Sequence, residues 1–115
     1  AYGLVGSEMC MRDSAKSSTD DLGVTGHYAQ AGGSGNTEPT DRSWIYCTVM
    51  LNSYHINSQS GSSVARGVAS HEIGHVFGLA HNNSNPYSIM CQLGEGRKVI
   101  SISKTDNDAF NRKYP

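Results

Sequence analysis

The sequence predicts an α+β fold, with strand-forming segments in its first half and helical periodicity in its second. Two observations carry this. Residues 44–51 (WIYCTVML) form an aromatic and β-branched run with turn-forming residues on both sides. Further on, Val64, Val68, Ala69 and Val76 recur at helical spacing. At 115 residues the chain suits one domain over 1–115, able to bury a core but with little room for a second.

The remaining elements follow in order. Residues 3–11 (GLVGSEMCM) are a weaker strand candidate, bounded by the polar stretch 12–21. Residues 22–30 (LGVTGHYAQ) are another, and the Gly, Ser, Asn and Pro of 31–42 make a loop. Residues 55–60 also read as loop. Ser62 or Ser63 is placed to cap a helix running to about Phe77, and Gly78 suits the left-handed residue that ends such helices. Residues 79–100 hold Asn-Asn, Asn-Pro and several Gly, and read as irregular. A last helix starts at Ser103, with Asp106 as a shortened capping box, and runs to about Tyr114.

Composition narrows the function. Hydrophobic residues make up 37% and charged residues 17%, as in a globular domain, and thirteen glycines indicate many loops. Net charge is −1 with scattered basic residues, which excludes a nucleic-acid or anionic-membrane surface. No apolar run approaches the roughly 18–20 residues of a membrane span. The start Ala1-Tyr2-Gly3 does not read as a signal peptide. Cys10, Cys47 and Cys91 allow one intramolecular disulfide and leave at least one thiol over.

The chemistry lies in residues 71–81, His-Glu-Ile-Gly-His-Val-Phe-Gly-Leu-Ala-His. His71 and His75 are four apart, so a helix stacks them on one face, within reach of one Zn²⁺ at about 2.0–2.1 Å. A turn at Gly78 returns His81 as a third nitrogen ligand. Three protein ligands leave one tetrahedral position open, as catalytic zinc requires. Glu72 points beside the metal, where it can act as general base on water. Chance gives His-Glu-x-x-His in roughly one chain of this size in several hundred, and the added Gly and His lower that about a thousandfold. A helix with merely solvated histidines is therefore the weaker reading.

With this motif the chain resembles the metzincin zinc peptidases. Tyr87-Ser88-Ile89-Met90 follows the third histidine, and Met90 looks like their Met-turn residue. Residues 23–32 are similar to the edge strand beside the active-site cleft of the matrixins, the matrix-metalloproteinase type. Ser103-x-x-Asp106 before a helix ending in Tyr114 is similar to their C-terminal helix. Gln92 stands where astacins and serralysins place a zinc-reaching Tyr, which favours the matrixin branch, whereas Asn82 after the third ligand matches no familiar subfamily.

The resemblance implies a small twisted mixed sheet, a zinc-binding active-site helix, an irregular Met-turn segment and a C-terminal helix. It also implies a long opening helix that no segment before residue 60 is periodic enough to supply, as in a minimal or N-terminally shortened member. It implies a secreted, monomeric metalloendopeptidase with one catalytic Zn²⁺, whose extended protein or peptide substrate adds to the edge strand at Gly23, Val24, Thr25 and Gly26. The specificity pocket would be floored by the zinc helix and the residues after Met90. A second zinc at His27, or calcium at Asp20, Asp21, Glu38 and Asp41, finds no supporting ligand spacing. His27 and His55 read as an ordinary strand and loop histidine. Competing readings are a non-catalytic zinc-binding module, which would not need Glu72, and a metal amidase acting on small molecules, which would not need the edge strand.

Overall fold

The computed structural model describes residues 3–14, 21–29, 43–58 and 62–115. Three strands, β1 (Leu4–Ser14), β2 (Gly23–Tyr28) and β3 (Trp44–Asn52), precede the helices α1 (Ser53–Ser58), α2 (Ser62–Val76) and α3 (Lys104–Lys113). A short 3-10 turn at Leu93–Glu95 interrupts the irregular stretch between α2 and α3. The fold is α+β, as the sequence predicts.

The strands form one mixed sheet in the order β1-β3-β2. β1 runs parallel to β3 with Met9 opposite Cys47, and β2 runs antiparallel to it with Thr25 opposite Val49. β1 reaches three residues further than expected because Arg12, Asp13 and Ser14 continue the ladder opposite Met50, Leu51 and Asn52. That pairing uses the backbone alone, so polar side chains do not stop it. Residues 55–58 are helical rather than loop, which places His55 in α1. Asn52 Oδ1 accepts from Tyr54 N–H, so the asparagine ending β3 caps the helix that follows. Gln30, Asp20, Glu38 and Asp41 lie outside the described residues.

The core joins β3 to α2. Trp44, Cys47, Val49 and Val76 are buried together, with Leu4 and Leu51 packed against them. Each aliphatic side chain so buried contributes about 1.5–3 kcal/mol. Cys47 and Cys91 are buried thiols, and Cys10, half-buried, is not in a disulfide either. Burial pushes the Cys47 thiol up to about 11, so it stays protonated. Among the described residues no helix is long and apolar enough to cross a membrane.

The C-terminus of α2 is held with unusual completeness. Gly78 takes φ 87°, which excludes most side chains on conformational grounds. Gly78 N–H bonds His75 O at 2.9 Å and Leu79 N–H bonds Gly74 O at 3.1 Å, the paired closure of a Schellman motif. The carbonyls beyond are met by side chains. His27 Nε2 donates to His75 O at 2.6 Å, Trp44 Nε1 to Val76 O at 2.9 Å, and Tyr114 Oη to Phe77 O at 2.7 Å. β2, β3 and the residue that follows α3 thus fix where α2 stops, and with it where the chain turns towards His81.

Candidate metal centre

α2 and the turn after it bring His71, His75 and His81 together, with ligand atoms all within 4.8 Å of one another. Two of the rings are oriented from behind. His71 Nδ1 donates to Ile89 O and His75 Nδ1 to Leu79 O, each at 2.7 Å. With Nδ1 protonated in both, each Nε2 presents a lone pair. His75 Nε2 lies 3.2 Å from His71 Nε2 and 3.1 Å from His81 Nε2. Two bare lone pairs at that separation repel, whereas a cation between them binds both. Tetrahedral zinc with ligands at about 2.0–2.1 Å would set nitrogen atoms about 3.3 Å apart. The donor set therefore fits one zinc ion. Burial is the main reason that all three imidazoles resist protonation, His71 down to about 4.

Glu72 is buried beside this triad. Burial raises its carboxyl above the usual range, and the bond from Thr25 opposes that rise. Thr25 Oγ1 lies 2.5 Å from Glu72 Oε2 and 3.1 Å from Glu72 O. The alternation of β2 explains the contact. Gly23, Thr25 and His27 share the face towards α2, and a Cβ on Gly23 would stand 2.8 Å from Glu72 Cγ. Val24 points the other way and is half exposed. Gly26 is buried. Of the four residues expected along the edge, Gly23 and Thr25 thus meet Glu72, while Val24 and Gly26 belong to the opposite face. Among the described residues β2 is paired on one side only, with β3.

Met90 is buried under α2, with its sulfur against Gly74, where any side chain would collide with it. The turn that carries it is pinned by Asp106. That carboxylate accepts from Ser88 Oγ at 2.5 Å, Ile89 N–H at 2.8 Å, and Ser103 N–H and Oγ at 2.9 and 2.7 Å. The chain of bonds runs Asp106 to Ile89 N–H, and Ile89 O to His71 Nδ1. A helix cap on α3 thereby orients the His71 ring on α2. The Gln92 side chain is engaged by Asn83, accepting from its Nδ2 at 2.8 Å.

The sequence reading placed Thr25 on the edge strand and Asp106 in a helix cap without foreseeing their bonds to Glu72 and to the Met90 turn, and it passed over Gly74 and Arg97. Arg97 is buried, and its Nη2 would stand 2.8 Å from a Cβ on Gly67. The readable signal was the pair of glycines inside α2, each costing about 0.5–1 kcal/mol relative to Ala unless something packs there. His27 stands apart from the triad as a structural histidine, edge-on to Trp44 at 4.8 Å.

A three-histidine cluster whose last member is exposed, a buried carboxylate next to its first histidine and a methionine turn packed against the same helix define a zinc-peptidase type of site. A family model described as matrixin matches residues 15–115, and the chain belongs to that family. It is a domain of the zinc metallopeptidase type. No curated protein and no solved structure matches the chain.

Proposed function

We propose that the protein is a zinc-dependent endopeptidase, with His71, His75 and His81 as metal ligands and Glu72 as general base. The observation that carries this is the convergence of three imidazole Nε2 atoms at 3.1–3.2 Å contacts beside a buried, hydrogen-bonded carboxylate. A zinc ion bound there supplies acidification of a water and polarisation of a peptide carbonyl. Glu72 takes the proton of the attacking water and passes it to the departing amine nitrogen. Its raised affinity for protons suits it to hold that proton between the two transfers. Thr25 fixes the carboxylate so that one oxygen stays aimed at the reacting atoms.

The edge of β2 away from β3 is the rail for an extended protein or peptide, which adds a strand through backbone hydrogen bonds at Gly23, Val24, Thr25 and Gly26. The side chains of Thr25 and His27 are committed to α2, so the rail is held at a fixed distance from the triad. A monomer secreted from the cell completes the proposal, by family resemblance. Zinc content and cleavage of an unstructured protein, with and without chelator, test it. One zinc per chain and chelator-sensitive cleavage at internal bonds are expected. Zinc binding without cleavage would instead make the chain a binding module, and cleavage of small amides alone would make it an amidase.

A further inference from the structure

Arg97 is 9% exposed, and its Nε is buried with no hydrogen-bond partner. Among the described residues the ion pair present is Lys104–Asp108, at the surface of α3, so Arg97 has no carboxylate to itself. The nearby Glu72 carboxylate has one oxygen bonded to Thr25, and among the described residues it forms no ion pair with Arg97. A guanidinium brought out of water and left unpaired is costly, and a protein that needs one only for packing can use an apolar side chain instead. The guanidinium lies against the bare backbone of Gly67: a Cβ there would stand 2.8 Å from Arg97 Nη2 and 3.4 Å from Ile100 Cγ2.

Its position relates it to the metal centre. Gly67 is four residues before His71, so the two share a face of α2, about one turn apart. Arg97 sits over Gly67 and Met90 over Gly74, so they flank His71 along that face. The charge of Arg97 is felt at both His71 and Glu72. A guanidinium presents donors in a planar fork that matches a carboxylate, and here its Nε has no partner to compete.

We propose that Arg97 is a specificity residue that receives a substrate carboxylate beside the scissile bond, so that the enzyme cuts next to an acidic residue. This rests on the peptidase reading and adds the substrate class. The same chemistry could come from an Asp or Glu side chain or from a free chain end, and the two are separable by experiment.

The test uses zinc-loaded protein and peptides blocked at both ends, with Glu, Gln, Leu or Lys placed in turn on each side of the bond. At one of the two positions Glu should exceed Gln by at least tenfold in kcat/KM. Arg97→Leu should abolish that preference and favour Leu instead. A parallel set with free C-terminal carboxylates distinguishes the sources: preference for the free end alone assigns Arg97 to the chain terminus. Binding to the Glu72→Ala protein gives a readout without turnover. There the Glu peptide should bind at least tenfold tighter than the Gln peptide, and Arg97→Leu added to Glu72→Ala should erase the difference.

Equal treatment of Glu and Gln by the wild type, with no preference for a free end, would overturn the assignment. So would a preference that survives in Arg97→Leu. If charge-selective binding appears without cleavage by the wild type, the peptidase reading fails while Arg97 keeps its role. Chelator-sensitive cleavage indifferent to charge gives the reverse.

Discussion

Thr25 Oγ1 donates to Glu72 Oε2 at 2.5 Å, joining the edge strand β2 to the carboxylate beside the first histidine of the triad. One hydroxyl thus couples the strand on which a substrate would lie to the group that would move its protons. Thr25→Val keeps the shape and removes the donor. It should lower kcat roughly tenfold with little change in KM, because a misaimed base affects the transition state more than binding. Thr25→Ser should recover most of the loss. Steady-state kinetics on both variants decide this, and a change confined to KM would assign Thr25 to substrate binding.

Met90 and Gly74 form a matched pair, a sulfur seated where a helix residue has no side chain. Gly74→Ala would gain helix propensity on an exposed helix but must displace Met90 here. Destabilisation of about 1–3 kcal/mol and weaker zinc binding are expected. Met90→Ala should cost about 2–5 kcal/mol by leaving a cavity. Denaturant unfolding and zinc titration measure both, and a stabilised Gly74→Ala protein would contradict the packing described.

Asp106 holds the Met-turn through bonds from Ser88, Ile89 and Ser103. Burial raises its carboxyl, but those bonds outweigh it and the net shift is downward. A carboxylate depressed in the folded state adds stability above its ordinary pKa and loses it as pH falls through the folded value. Asp106→Asn should therefore destabilise at neutral pH by about 2–4 kcal/mol and flatten the loss of stability below pH ~4. Zinc affinity should fall with it, since Ile89 O orients His71. An unchanged acid-unfolding curve would show that the network is not formed.

His71 titrates the other way from a surface histidine. Burial holds its pKa at about 4 in the folded chain, against roughly 6.5 when unfolded. The unfolded state then binds more protons between those values, so zinc-free protein should lose stability steadily as pH drops from about 6.5 towards 4. Replacing His71 by Gln should remove much of that slope. Chemical denaturation of the chelated protein across this range is the check, and a flat profile would mean that the imidazole is not buried as described.

How much of this could be read in advance follows from how local each feature is. His71, Glu72 and His75 lie within one helix, Gly78 is its stop signal and His81 follows three residues on, so spacing alone placed them. The capping box at Ser103 and Asp106 was legible for the same reason, and the structure has both of its bonds. What Asp106 does besides capping was not legible, because Ser88 and Ile89 are brought to it by an irregular stretch with no period. Thr25 meeting Glu72 depends on the register of β2 on β3, which a short strand in sequence does not specify. The helix α1 was missed because six residues show too little periodicity, although Asn52 before Ser53 is a usable capping signal.

The most direct measurement is Glu72→Ala, assayed for both zinc and cleavage. The side chain is not among the three ligands, so the variant should retain one zinc per chain with a fold unchanged by circular dichroism. Its kcat/KM on a peptide that the wild type cleaves should fall by about 10²–10⁴, the range of a lost general base. Wild-type turnover in a zinc-loaded Glu72→Ala protein would contradict the assignment of the proton to Glu72, and with it the mechanism proposed for this site.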